Sequence, residues 1–238
     1  MAREFPADFN DMTVYHLLAD DFMYPATTAV SNVTAWSAVN DGATGTPVFQ
    51  DAAGGVFNVV TAAADNDYAA YKSLHQPFLF ASGQPLWFEA RFKLSEATTS
   101  ESTWWFGLSD TTTTGGMQAN TSGPLASYDG ALIYKTPETA LTVNFQVSNA
   151  GVQSTLSAFA TGVSNTWQRV AFYFDGVSPV SYITPWFHTV AGGWIAGSPL
   201  SITLSGLEEM NLVYGVKAGP TAAAETLQID YVRCCQVR

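Results

Sequence analysis

The sequence predicts an all-β protein, a two-sheet antiparallel β-sandwich with an N-terminal arm, on three observations. The stretch Leu86–Leu94 (LWFEARFKL) alternates: Leu86, Phe88, Ala90, Phe92 and Leu94 project one way, Trp87, Glu89, Arg91 and Lys93 the other. That is the period of a strand with one buried and one amphiphilic face. A long series of other short segments, rich in β-branched and aromatic residues, is separated by turn residues with no sustained helical period. Hydrophobic residues make up 47% of the chain and charged residues 12%, which excludes intrinsic disorder.

Residues 1–18 read as an arm, within which Thr13–Leu18 (TVYHLL) has the character of an edge strand. From Asp20 to Val39 the segments are short and loosely alternating, and Asn40–Gly45 is a turn because Asn, Asp and Gly tolerate positive φ. Pro47–Gln50 and Gly55–Ala62 form a hairpin joined at Asp51–Gly54. A loop at Ala63–Asp67 leads to a strand at Tyr68–Ser73, then to Leu86–Leu94. Trp104–Ser109 (WWFGLS) is an apolar strand expected to pair beside it. Asp110–Gly123 is a Thr/Gly-rich loop of a length that is either functional or mobile. Strands follow at Ala131–Tyr134, Leu141–Val147, Val152–Phe159, Trp167–Asp175, Pro179–Thr189, Gly192–Ile195, Leu200–Leu204, Leu212–Val216 and Leu227–Val232. One short helix candidate lies near Leu207–Leu212. The organisation is one domain, residues 19–238, preceded by the arm.

Twenty acidic against nine basic residues give a formal charge of −11. Nucleic-acid binding depends on clustered Lys and Arg, and no run of them occurs, so no nucleic-acid partner is expected. No apolar stretch approaches the roughly 18 residues of a membrane helix. The start, MAREFPADFND, has acidic residues and Pro where a signal peptide needs a basic and then an apolar run. Cys234 and Cys235 are adjacent, point to opposite faces of a strand and read as free thiols. With no further ligand-spaced Cys or His they make a poor metal site. Asn32-Val33-Thr34 and Asn120-Thr121-Ser122 match a glycosylation pattern, read as chance without secretion.

The aromatic strand LWFEARFKL, the following WWFGLSD, the later W-x-R-V-x-F-Y-F-D-G strand and the closing Ile229-Asp230-Tyr231-Val232-Arg233 together resemble the concanavalin A-like lectin/glucanase jelly roll. This superfamily also includes laminin-G-like domains. The resemblance covers roughly residues 20–238 and implies fold more than function.

Glucanases of this fold carry a Glu-x-Asp-x-x-Glu pattern, because glycoside hydrolysis needs two carboxyls flanking the scissile bond. The pattern is absent here. Glu89 has Trp87, Arg91 and Lys93 as same-face neighbours, and adjacent cations favour an ionised carboxylate, the wrong state for a general acid. It reads as a member of a cross-strand ion pair on a solvated face. Glu208-Glu209 fall in a turn. His16, His75 and His188 have no ligand-spaced partners, and Asp65-Asn66-Asp67 reads as a polar turn rather than a calcium site. No catalytic residue, metal or cofactor is therefore assigned.

Trp87, Trp104, Trp105 and Tyr173 are candidates for a sugar-stacking platform, although most of the seven tryptophans are expected in the core. Alternation places Trp87 and Tyr173 on the non-core face, so the candidate ligand-binding set is Trp87, Arg91 and Tyr173. The leading functional expectation is a non-enzymatic virion protein, since jelly rolls of this type resemble bacteriophage capsid decoration and cement proteins. Its partners would be a major capsid protein and copies of itself, as in a trimer, with a surface glycan as a further ligand. It would be made in the host cytoplasm and located on the capsid surface. The alternatives are a carbohydrate-binding module or lectin and, disfavoured, a glycoside hydrolase.

Overall fold

The computed structural model describes residues 15–22, 36–40, 48–50, 55–96, 101–111, 113, 116–118, 123–137, 141–178, 180–189, 193–220 and 223–238. Among the described residues sixteen strands run in chain order: β1 (Tyr15–Asp20), β2 (Trp36–Asn40), β3 (Val48–Gln50), β4 (Val56–Val60), β5 (Tyr68–Ser73), β6 (Leu86–Ser95), β7 (Thr103–Ser109) and β8 (Gly130–Lys135), then β9 (Thr142–Asn149), β10 (Val152–Thr161), β11 (Gln168–Phe174), β12 (Val180–Thr189), β13 (Gly193–Ala196), β14 (Leu200–Thr203), β15 (Asn211–Lys217) and β16 (Thr226–Val237).

They form two sheets. The nine-stranded sheet has the order β13-β12-β11-β6-β16-β4-β3, with β1 also paired to β16 and β14 to β12. The seven-stranded sheet has the order β10-β9-β8-β7-β15-β5-β2. Every ladder is antiparallel, and the expected hairpin appears as β3–β4. The arm lies mostly outside the described residues, as do both glycosylation patterns. Of the arm, Tyr15–Leu18 belong to β1, which pairs with Val232–Val237 of β16.

Two expectations are corrected. WWFGLS does not pair with β6; as β7 it lies in the opposite sheet between β8 and β15. It is buried on both faces, so nothing in its own pattern names its sheet. Among the described residues there is no helix, and the segment near Leu207–Leu212 leads directly into β15.

The core is built from the inward alternation of both sheets. Phe88 stacks on Phe172 within one sheet at 4.8 Å, and Phe92 meets Phe106 of the other at 4.8 Å. Burying each such ring contributes about 1.5–3 kcal/mol. A second aromatic nest gathers Phe22, Trp36, Phe49, Phe57, Tyr71 and Tyr214. The Asp20 carboxylate ties its edge by accepting from Phe22 N at 2.8 Å and Trp36 Nε1 at 2.7 Å. Between the sheets Lys135 and Glu96 form an enclosed ion pair at 3.0 Å, with Ser102 Oγ donating to the same carboxylate at 2.6 Å.

Candidate functional site

The two outer faces of the sandwich differ. That of the seven-stranded sheet is covered by the chain itself. The described part of residues 110–129 lies across it as a strap, in which Met117 bridges Pro124 and Leu125 N donates to Gly116 O at 2.8 Å. Met117 and Tyr128 are buried against Trp105, Leu132, Tyr134 and Val213, a hydrophobic cluster separate from the main core. Trp105 lies over Gly215, where a Cβ would come within 2.4 Å of its ring. Tyr128 Oη donates to Gln146 Oε1 at 3.1 Å, and buried Lys217 donates to Gln118 O at 3.2 Å. At the root of the strap Asp129 N donates to Asp110 Oδ1 at 2.8 Å, while the Asp129 carboxylate accepts from Ala150 N and Glu208 N. Burial is the largest influence on the Asp110 carboxyl and raises its pKa. Residues 112, 114, 115 and 119–122 of the long loop lie outside the described set.

Among the described residues the outer face of the nine-stranded sheet carries no such strap, although Glu89 and Cys235 on it are buried, and the strand registers arrange its side chains in rows. One row runs Trp194 (β13), His188 (β12), Arg169 (β11), Arg91 (β6), Tyr231 (β16). The next runs Ala196, Trp186, Ala171, Glu89, Arg233, and a third Thr184, Tyr173, Trp87, Cys235. Trp87 and Tyr173 are thus direct cross-strand partners, with ring centroids 5.1 Å apart. Arg91 lies over the Trp167 ring at 4.9 Å, Lys93 over the same ring at 5.4 Å, and Arg169 over Trp194 at 5.0 Å. Aromatic faces hold guanidinium groups flat by cation–π attraction and stacking.

The candidate set Trp87, Arg91 and Tyr173 therefore shares one face, with Trp87 and Tyr173 in contact and Arg91 two rows away, four residues along β6. Of the other tryptophans weighed for a platform, Trp104 is in the main core and Trp105 is under the strap. The expectation that most tryptophans are core does not hold. Trp87, Trp167, Trp186 and Trp194, four of seven, are only partly buried and lie on or beside this face. Trp186 and Trp194 went unrecognised, although Tyr182, Thr184, Trp186 and His188 alternate with Ser181, Ile183, Pro185 and Phe187 and could have been read from the sequence.

Glu89 is also corrected. It is 6% exposed rather than solvated. The expected cross-strand pairing holds, with Arg233 of β16 at 2.7 Å and Arg169 of β11 at 3.8 Å. Tyr231 Oη donates to it at 2.5 Å. Burial, then that hydrogen bond, raises the Tyr231 pKa, keeping the phenol a proton donor. Arg91 pairs instead with Asp230, which faces outward because β16 is irregular between Ile229 and Tyr231. Burial and then the Arg169 charge lower the His188 pKa, so its imidazole is neutral at pH 7.

Asp65-Asn66-Asp67 forms a turn with Asn66 at φ 60°. Among the described residues no group of three or more His, Cys, Asp or Glu is placed to hold a metal ion, and no helix is long and apolar enough to cross a membrane.

No protein-family model matches the sequence, and no curated protein sequence matches it. Solved structures do. Peanut lectin with a bound nonapeptide superposes with a TM-score of 0.62 at 10% identity, over 93% of this chain and 97% of its own. The lectin UEA-II complexed with galactose gives 0.61 at 11% identity, over 93% and 98%. The endo-1,3-beta-glucanase from Streptomyces sioyaensis gives 0.61 at 12% identity, over 94% and 97%. The chain has the concanavalin A-like jelly-roll fold shared by these lectins and this glucanase.

Proposed function

We propose that the chain is a non-catalytic, carbohydrate-binding lectin-like domain whose binding surface is the outer face of the nine-stranded sheet. One observation carries this reading: four partly buried tryptophans and Tyr173 sit on or beside one outer face that carries no strap among the described residues, while a strap lies across the other. Rigid aromatic rings offer large contact area at small entropic cost and stack on the apolar faces of sugar rings. Trp87 and Tyr173 supply the stacking surface, and Arg91 supplies directional donors. The two carboxylates of the face, Glu89 and Asp230, are each held by arginine, which suits orientation of a ligand rather than acid–base chemistry.

The test is titration calorimetry following an oligosaccharide screen. Trp87→Ala and Tyr173→Ala should each weaken the best ligand roughly 10- to 100-fold, the range of interface residues that dominate binding. Unchanged affinity in both variants would remove this face from the reading. Glu89→Gln should leave any glycan-degrading activity unaffected.

A finer reading places the domain on a virion, as a bacteriophage capsid decoration or cement protein contacting a major capsid protein and copies of itself, as in a trimer. Its support is the Thr-, Ser-, Ala- and Gly-rich sequence with few lysines and the broad aromatic face. Density-gradient fractionation of a lysate tests it. Co-banding with particles at a fixed ratio to a shell protein is expected, and recovery only as free protein would refute it.

A further inference from the structure

The face proposed to bind sugar has a charge pattern opposite to that of the chain. Nine basic residues stand against twenty acidic ones overall. Four of the nine, Arg91, Lys93, Arg169 and Arg233, come from outward positions of β6, β11 and β16, whose only outward carboxylates among the described residues are Glu89 and Asp230. Four cations against two carboxylates leave a local excess of two positive charges on a protein of net charge −11.

The arrangement is also locally unfavourable. Arg91 and Arg169 are directly opposed in the β6–β11 register. Like charges directly opposite on neighbouring strands are destabilising. The internal neutralisation is unequal. Arg91 is paired with Asp230 and Arg233 lies 2.7 Å from Glu89, whereas Arg169 has only a 3.8 Å approach to that carboxylate among the ion pairs of the described residues. Its guanidinium is held over Trp194 with donors to spare. A sequence rich in acidic residues places none directly between these two arginines, and a local rule broken with only partial compensation at Arg169 points to a functional position.

We infer that the ligand is an acidic glycan whose carboxylate or sulfate group is received between Arg91 and Arg169 while adjoining sugar rings stack on Trp87, Tyr173 and Trp194. The inference rests on the carbohydrate-binding reading above and names its substrate class. Arginine suits it, because the planar guanidinium fork matches a carboxylate or sulfate with two parallel hydrogen bonds. The acidic groups are interspersed with neutral sugars. A chain of −11 repels a dense polyanion at long range, and a local excess of two charges does not match a continuous phosphate backbone.

The experiment is a binding screen of the full chain against matched pairs: uronate-containing oligosaccharides with their carboxyl-reduced forms, and sulfated oligosaccharides with their desulfated forms. A single-stranded DNA oligonucleotide is included. The expected result is binding to acidic members that falls at least tenfold on reduction or desulfation, falls similarly in Arg169→Gln, and weakens with added salt. Whichever pair shows the drop distinguishes carboxylate from sulfate. Circular dichroism checks that Arg169→Gln is folded, and Lys93→Gln provides a second variant, expected to weaken acidic ligands only. Equal binding to acidic and neutral members, unaffected by either variant, overturns the acidic assignment and leaves the carbohydrate reading standing. Binding to no glycan overturns both. Tighter binding to the DNA than to any glycan overturns the inference in favour of a nucleic-acid surface.

Discussion

Lys217 offers a quantitative check on the strap. It projects from β15 onto the covered outer face, is 2% exposed, and donates to the Gln118 carbonyl. Burial, only partly offset by the charge of Asp65, lowers its pKa from 10.5 to about 8. The folded state therefore binds fewer protons than the unfolded chain between about pH 8 and 10.5, and stability rises with pH across that window. Below about pH 8 the cost of the buried ammonium is fully present; above 10.5 it is gone. At about 1.4 kcal/mol per pH unit, that cost is on the order of 3 kcal/mol. Urea denaturation of wild type and Lys217→Met between pH 7 and 10.5 isolates it. Cys235, raised to about 11, and Tyr71, raised to about 12, both by burial, titrate in both proteins and cancel in the difference. The variant should gain roughly 3 kcal/mol relative to wild type at pH 7, compared with their difference at pH 10.5. A swing below about 1 kcal/mol would mean that Lys217 reaches water and the strap is not a seal.

Other outcomes follow from the same packing. Lys135→Met strands the Glu96 carboxylate inside the sandwich and should cost about 3–5 kcal/mol, most of it recovered in the double variant Lys135→Met/Glu96→Leu, as read by urea denaturation. Gly215→Ala drives a methyl against the Trp105 ring, with the nearest ring carbon at 2.4 Å; a loss of about 1–3 kcal/mol with altered tryptophan fluorescence is expected. Burial raises the pKa of Cys234 well above the ordinary thiol range and takes Cys235 to about 11. At pH 8 neither should react with a thiol reagent until the protein unfolds, and rapid labelling of the native state would show that Cys235 is not covered.

The strands were legible wherever one face is wet. LWFEARFKL and the β11 stretch VAFYF reveal their inward residues by alternation, because the outward positions had to remain polar or amphiphilic. WWFGLS has no such contrast. With the main core on one side and the strap on the other, both faces are apolar, and its sheet partner depends on topology alone. The cross-strand ion pairing of Glu89 was legible, for a geometric reason, although its burial was not. Residues two apart on one strand are separated by nearly 7 Å, whereas direct cross-strand neighbours are about 5 Å apart. The ion pairs therefore formed with Arg233 and Arg169, which lie 144 and 80 positions away in sequence. The outer aromatics of β12 and β13 were readable but were obscured by the habit of assigning tryptophan to cores. The strap was not readable, since the sealing role of Met117 and Tyr128 depends on a surface supplied by β7, β8 and β15.

The position of β16 governs the order in which this molecule can be assembled. The sixteenth strand lies between β6 and β4 and also receives β1, so three strands that end by Ser95 await one that begins only at Thr226. A nascent chain would carry β6 with one long edge unsatisfied through the synthesis of everything between. Pairings of such sequence separation slow folding and prolong the exposure of apolar strand edges. Aggregation during production should therefore respond more to changes in β16 than to equally buried changes in β9 or β10, whose hairpin can close as soon as it is made.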